Sequence, residues 1–396
     1  MFFKKLGQNK TLDERNVITK IIMLKTFVKY ISRFTHCLNP FLILFFLVNP
    51  IHCEGKDLKV ALKWKHQFQF AGIYAAIEDG IYRQYGLNVT TIEPTLGLNS
   101  VDMVKFGKCD IGISSTSIIR HLNDVTNQLV IIGATFLRSP AILIVSDSIN
   151  SANDLLNSKL MLEKDSDEVK LMLLSLGVFL NYENIIEHDY TITPLANKEV
   201  VGMSAYLTDE PYELGRMNYS YNVFDPTNYG IDTFGDILFT KKSFLYKYPD
   251  HINNFIQATQ KGWKIAISQR ERLANIIIQK YQSTHKKEHL LYEAEMITNF
   301  IRPGNIISTK GKIDIEIHNV SKWKNLEAIY KKFRLVDYDF NIFDHLLGFS
   351  GLGIDISKKC SSALALPYLF LSLGLMVILV ITERLSKVKI IVRFVS

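Results

Sequence analysis

The chain has 396 residues, 47% of them hydrophobic and 21% charged, with 10 prolines. That is room for one large two-lobed domain or two ordinary ones, and it excludes a disordered or low-complexity polypeptide. The formal net charge of +7 is scattered along the sequence, with no dense lysine and arginine block interleaved with aromatics, so nucleic acid is not an expected partner.

Near the N-terminus Met23 offers a second start. Lys25, Lys29 and Arg33 follow it, and then an apolar run over 41–48. A charged segment before a short apolar one reads as a secretory signal, too short to span a bilayer easily. Residues 1–53 are therefore expected to be an extension plus signal sequence. Cys53 invites lipidation, but Pro50, Ile51 and His52 are not the small residues such a cleavage site favours. Cys37, Cys53, Cys109 and Cys360 form no CxxC pair, and only Cys109 lies in the body of the chain, which supports neither a disulfide framework nor a zinc site.

From there strands and helices alternate. Strands are expected at 58–62, 87–92, 110–113, 129–136 and 141–145, with a helix over 71–85 closed by Gly86. A second set follows: strands at 159–162, 202–207, 221–224 and 237–240, and a helix near 168–179. The chain then turns helical, with Ile252, Phe255, Ile256, Trp263 and Ile267 on one face and Leu273, Ile276 and Ile277 on the next. The alternation predicts mainly parallel sheets in a two-lobed clamshell occupying 54–356, with lobe 1 at about 57–140 and 241–340 and lobe 2 at about 141–240. Ligands in such folds lie between the lobes, at the carboxyl ends of the strands.

Several segments carry candidate chemistry. Residues 62–76, LKWKHQFQFAGIYAA, gather Trp64, His66, Gln67, Phe68, Gln69, Phe70 and Tyr74 between the first strand and first helix. Aromatic faces there stack on a planar ligand, or else they are core. Ser114, Ser115, Thr116 and Ser117 follow the third strand and either hold a polar or anionic group or simply cap a helix. In 206–212, YLTDEPY, Asp209 and Glu210 stand where lobe 2 opens, to accept from an amino group or to complement a helix dipole. Asp232 and Asp236, in the glycine-bearing stretch 229–236, belong either to a hinge or to the cleft rim. His285-Lys-Lys-Glu-His289 matches the inverted metalloprotease pattern, but it sits among lysines with no obvious third ligand and reads as a solvated helix end. Residues 330–338 read as an amphipathic helix end.

The run 363–382 carries no charge and is long enough to cross a membrane as a helix. Lys358 and Lys359 precede it and Arg384, Lys387, Lys389 and Arg393 follow, which puts the tail 383–396 in the cytoplasm and the body outside.

The 62–76 motif, together with YLTDEPY, NYGIDTFGDILFT at 228–240 and the Lys261-Gly-Trp263 helix, resembles bacterial periplasmic binding proteins for thiamin pyrimidine precursors and alkanesulfonates. The resemblance covers roughly 58–336 and is nearest the branch that serves as transporter receptors and as sensor ectodomains. It implies a type II periplasmic-binding fold, a substituted pyrimidine as ligand, and Trp64, Tyr74 and Glu210 in the cleft, beside the candidates His66, Gln67, Ser114, Ser115 and Asp232. It further implies an ABC transporter permease or a signalling partner, a binding domain in the periplasm and an anchor in the bacterial inner membrane. No cofactor is expected.

The eukaryotic thiamin pyrimidine synthases share that fold and are the enzymatic alternative. Their chemistry needs a Schiff-base lysine, a histidine and an iron-associated cysteine cluster. In the matching positions this chain has Ser114, Ile118 and a cysteine-free 230–235. A binding protein is therefore expected, not an enzyme. The tail is too short for a folded output domain, as in a truncated sensor or a simple anchor.

Overall fold

The computed structural model describes residues 55–95, 97–301 and 319–348, together with Met23. All the elements below lie in one compact unit that begins at Gly55. Apart from Met23, the expected signal sequence within 1–53, the run 363–382 and the tail 383–396 lie outside the described residues. Among the described residues no helix is long and apolar enough to cross a membrane.

The chain opens with β1 (Lys56–Ala61), α1 (Ala71–Glu78), α2 (Ile81–Gln84), β2 (Leu87–Ile92), α3 (Ser100–Lys105), β3 (Ile111–Ser114), a 3-10 segment Thr116–His121 and β4 (Leu129–Phe136). The helix expected over 71–85 is broken at Gly80, whose φ of 67° is left-handed and sterically easy only for glycine. Next come β5 (Ala141–Ser146), β6 (Leu160–Leu162), α4 (Asp167–Ser175), β7 (Ile185–Glu187), α5 (Thr193–Ala196), β8 (Gly202–Tyr206), α6 (Glu210–Arg216) and β9 (Tyr221–Phe224). The chain returns through β10 (Gly235–Lys241) to α7 (Lys242–Lys247), α8 (Pro249–Ser268), α9 (Arg270–Tyr281), α10 (Lys287–Ile301) and α11 (Val320–Lys332).

Two five-stranded sheets result, ordered β2-β1-β3-β10-β4 and β7-β6-β8-β5-β9. They are mixed rather than mainly parallel. In the first, β1 runs parallel to β2 and β3, while β10 lies antiparallel between β3 and β4. In the second, β6 runs parallel to β7 and β8, while β5 is antiparallel to β8 and β9. The antiparallel pairs arise where the chain crosses between sheets and comes back without a covering helix. Because β10 belongs to the first sheet, the second layer ends before Gly235 and not at about 240.

Every residue of β3 and β4 is buried, which matches their unbroken apolar runs. Helix α8 buries Ile252, Phe255, Ala258, Thr259, Gly262, Trp263 and Ala266, one face at helical spacing. It packs directly on α1: a Cβ built on Gly262 would stand 1.9 Å from the Gly72 carbonyl oxygen, and one on Gly72 would stand 2.3 Å from the Trp263 ring. That close approach explains the Gly-Trp pair in the Lys261–Trp263 motif.

The two crossovers between sheets run side by side, with Ser139 N–H donating to the Thr233 carbonyl at 2.9 Å. Lys322 of α11 braces them from outside, its Nζ donating to the Leu137 carbonyl and to Asp232 Oδ1, each at 2.8 Å.

Candidate functional site

A cavity of about 880 Å³ opens between the two layers. The first layer supplies Lys63, Trp64, Leu98 and Asn99; the second supplies Glu163, Asp165, His188 and Tyr190. It lies at the carboxyl ends of β1 and β6, where open α/β sheets bind ligands.

One wall is aromatic. Trp64, only 8% exposed, meets Tyr190 edge-on at 4.6 Å and His188 edge-on at 5.3 Å. The Tyr190 N–H donates to His188 Nδ1 at 2.9 Å, so the proton of the neutral imidazole sits on Nε2. Burial lowers the His188 pKa, which keeps the ring neutral. Tyr190 holds a φ of 67°, an uncommon conformation for a bulky residue and one that collects at binding sites.

The floor is ionic. Lys63 Nζ donates to the Tyr206 hydroxyl at 2.6 Å. Burial opposes its charge, but Tyr206, Glu163, Asp236 and Glu168 around it together raise its pKa, and it stays protonated. Burial pushes Glu168 up to about 6 against the pull of Lys63. It pushes Asp236 up to about 7 against Lys63 and the hydrogen bond from Gln69; that bond is 2.7 Å long. Asp236 too has a left-handed φ, 47°, at the second position of the returning strand β10.

Two further cations on the cavity, Arg120 and Lys170, are already committed, whereas Lys164 lies exposed on its lining. Arg120 donates from Nε and Nη2 to the two oxygens of Asp167, at 2.7 and 2.8 Å. Lys170 Nζ donates to the Glu163 and Lys164 carbonyls at 3.0 and 2.7 Å. Asp165 is different: Oδ2 accepts from Asn99 at 2.8 Å, whereas Oδ1 is buried with no hydrogen bond, the Arg120 guanidinium standing 3.9 Å away. Asp165 thus lines the pocket beside the aromatic wall with one carboxylate oxygen unspent.

Contacts bridge the two layers beside the cavity. Arg120 and Ser115 belong to the first layer and reach Asp167 and the Asp165 carbonyl of the second. Tyr330 of α11 donates toward Asp167 Oδ2 at 2.9 Å and the Thr116 carbonyl at 2.8 Å. Its stretch thus ties both layers together and is not merely a helix end.

Of the residues singled out in the sequence, the structure brings Trp64 to the cavity wall. Gln67 and Glu210 line a small extension beside it, with Lys63, Trp64 and Tyr206. Glu210 accepts from the Tyr206 N–H at 2.7 Å, and burial next to Asp209 raises its pKa well above the usual carboxylate range. Ser115 caps the 3-10 segment by accepting from Ser117 N–H at 3.1 Å. Ser114 is buried beside it, 3.4 Å from the Ser117 hydroxyl. Three candidates stand elsewhere. His66 Nδ1 lies 2.6 Å from the Tyr74 hydroxyl, and both rings pack on Tyr281 within the first layer, where His66 borders a separate surface hollow with Val89, Glu93 and Lys280. Asp232 pairs with Lys322 behind the crossovers and is 51% exposed. The His285 to His289 segment is not the solvated end expected: His289 is 2% exposed.

Lys63, Glu163, Asp165, His188 and Tyr190 escaped the sequence reading. Lys63 lies inside the 62–76 motif, so its position was available; the others sit in ordinary-looking polar loops of the second layer.

A family model described as "NMT1/THI5 like" matches residues 67–272, just over half of the chain. The chain belongs to the NMT1/THI5-like family. No curated protein matches it. Among solved structures, this family member is similar to the alkanesulfonate-binding protein SsuA from Xanthomonas axonopodis pv. citri bound to MOPS, at 13% identity and a TM-score of 0.54 over 74% of this chain and 98% of that one. It is similar to the periplasmic aliphatic sulphonate binding protein SsuA from Escherichia coli, at 15% identity and 0.54 over 73% and 97%. It is also similar to the ligand binding component of an ABC-type import system from Staphylococcus aureus with zinc bound, at 12% identity and 0.54 over 77% and 99%. At these identities the likeness establishes the two-sheet periplasmic-binding-protein-like fold of this NMT1/THI5-like chain.

Proposed function

We propose that this chain is an extracytoplasmic solute-binding protein for a small planar heterocycle bearing an amino group, a thiamin pyrimidine precursor by class. It acts in the bacterial periplasm, is anchored in the inner membrane by the run 363–382, and hands its ligand to an ABC permease or signals its presence to a membrane partner. Trp64, His188 and Tyr190 would wall one side of the ring, with Gln67 and Glu210 in the adjoining extension. The observation that carries the reading is Asp165 Oδ1, a buried acceptor without a donor beside the aromatic wall. An amino group satisfies it, whereas an anion such as a sulfonate would face the carboxylate, with Arg120 and Lys170 already committed to Asp167 and to backbone carbonyls. The lobes close over the ligand, and the closed form is what a partner reads.

Catalysis of the synthase type has little to work with. Ser114 and Ile118 are both buried, Cys109 is the one cysteine among the described residues, and Lys63 is held protonated, which disarms an amine for Schiff-base chemistry. The test is calorimetric titration of the purified chain with an aminopyrimidine, thiamin, taurine and pyridoxal phosphate. Saturable binding of the aminopyrimidine that weakens at least about tenfold in Asp165→Asn supports the reading. Preferential binding of taurine, or an imine absorbance with pyridoxal phosphate, overturns it.

A further inference from the structure

His285, in the loop before α10, and His289, in its first turn, converge with Asp209 in the loop between β8 and α6; one potential ligand atom from each lies within 4.8 Å of the others. His289 Nε2 is 2.7 Å from Asp209 Oδ1, and His285 Nε2 is 4.0 Å from the same oxygen. The His289–Asp209 distance suits a hydrogen bond but the direction does not: Nε2 is buried and makes none. The two Nδ1 atoms face one another at 2.6 Å. Two imidazoles and a carboxylate thus crowd one point, and the most buried of them has an unsatisfied nitrogen aimed into it.

From this geometry we infer that Asp209, His285 and His289 form a binding site for a divalent first-row transition ion of the zinc class. Two imidazole nitrogens and one carboxylate oxygen suit such an ion and are poor partners for magnesium or calcium, which take oxygen ligands. With both Nε2 atoms as ligands, both Nδ1 atoms carry protons, and the facing pair must part by a ring rotation. Glu213 Oε1, 3.7 Å from His289 Nδ1, then accepts that proton, the usual carboxylate support behind a ligating imidazole. The Tyr212 ring, stacked on His289 at 4.6 Å, shields one side. Three protein ligands leave one tetrahedral position for water. Glu288, the acid of the protease-like pattern, is exposed, so the metalloprotease arrangement suggested by the spacing is not reproduced.

The ligands come from different layers. Asp209 follows β8 of the second sheet, whereas α10 packs on the segment Phe68–Phe70 and on β4 of the first. A bound ion therefore fastens the two layers at a point bordering the extension lined by Lys63, Gln67 and Glu210, independently of what fills the main cavity.

The test uses the full-length chain without a polyhistidine tag, titrated with Zn2+ by calorimetry and with Co2+ by visible absorption. Expected are one Zn2+ per chain, a tetrahedral Co2+ band, and affinity lower by about tenfold or more in His285→Ala and in Asp209→Asn. His285 precedes α10 in a loop, so its variant should fold, and the near-isosteric Asp209→Asn guards against a packing artefact. Heat unfolding in Zn2+ should move upward for the unmodified chain and stay put for His285→Ala. A chain that unfolds cooperatively yet takes up no Zn2+, or takes it up equally in both variants, overturns the inference.

Discussion

Arg120 and Asp167 face each other across the cavity in a two-pronged pair, Nε to Oδ2 at 2.7 Å and Nη2 to Oδ1 at 2.8 Å. Asp167 is buried and also receives the Tyr330 hydroxyl, so three segments far apart in sequence meet on one carboxylate. A planar guanidinium satisfies both oxygens at once, which a lysine ammonium cannot. Arg120→Lys should therefore keep the charge but loosen closure, weakening ligand binding by about three- to tenfold. In solution scattering the ligand-free variant should be measurably larger than the unmodified protein. Equal dimensions and equal affinity would show that closure does not depend on this pair.

Trp64 tests the aromatic wall. Its ring is held by Tyr190 and His188 and borders the cavity, so Trp64→Ala should cost ligand affinity about tenfold or more. Trp64→Phe should recover part of it. His66→Ala, remote from the cavity, should bind as the unmodified chain does; a loss there equal to that of Trp64→Ala would move the site to the hollow bordered by His66 and Glu93.

Much of this architecture could be read from the chain because apolar runs dictate it. The residues 129–136 can only be a buried strand, and the face of α8 follows from its spacing. The mixed strand directions could not be read, since β10 has the same composition whichever way it runs; direction is settled by where the crossovers place it. The site was legible on the first layer, where Trp64 belongs to a dense motif. On the second layer Asp165, His188 and Tyr190 are spaced irregularly in loops, and only tertiary packing brings them to Trp64. Asp209 and His289 fall under the same rule: a long stretch of intervening chain hides a 2.7 Å contact.

Asp236 gives the fold a pH signature. Burial raises its pKa from 3.8 to about 7, so between those values the folded protein binds a proton that the unfolded chain has released. Its contribution is fully present at low pH and is lost as pH rises through about 7, with a slope of up to about 1.4 kcal/mol per pH unit. Asp236→Asn removes the titration while keeping a polar partner for Gln69. The stability of Asp236→Asn relative to the unmodified chain should therefore improve steadily from about pH 4 to pH 7 in urea unfolding. A constant difference across that range would mean that Asp236 titrates normally.

The contact between α1 and α8 should be the least forgiving in the first layer. A methyl on Gly262 would lie 1.9 Å from the Gly72 carbonyl oxygen and 2.9 Å from the Ala76 Cβ. Backbone is on one side and a helix core on the other, so relief requires moving α8 bodily. Moving α8 shifts Trp263, whose ring covers Gly72 and touches Phe136 of β4 at 6.3 Å between centroids. The cost should exceed the ordinary ~1–3 kcal/mol of an overpacked core, even though alanine is the better helix former. Gly262→Ala should therefore lower the urea midpoint sharply, whereas Gly215→Ala in α6, where a Cβ meets nothing within 4 Å, should be neutral or stabilising. Equal midpoints for the two variants would show that α8 can shift away from α1 at little cost.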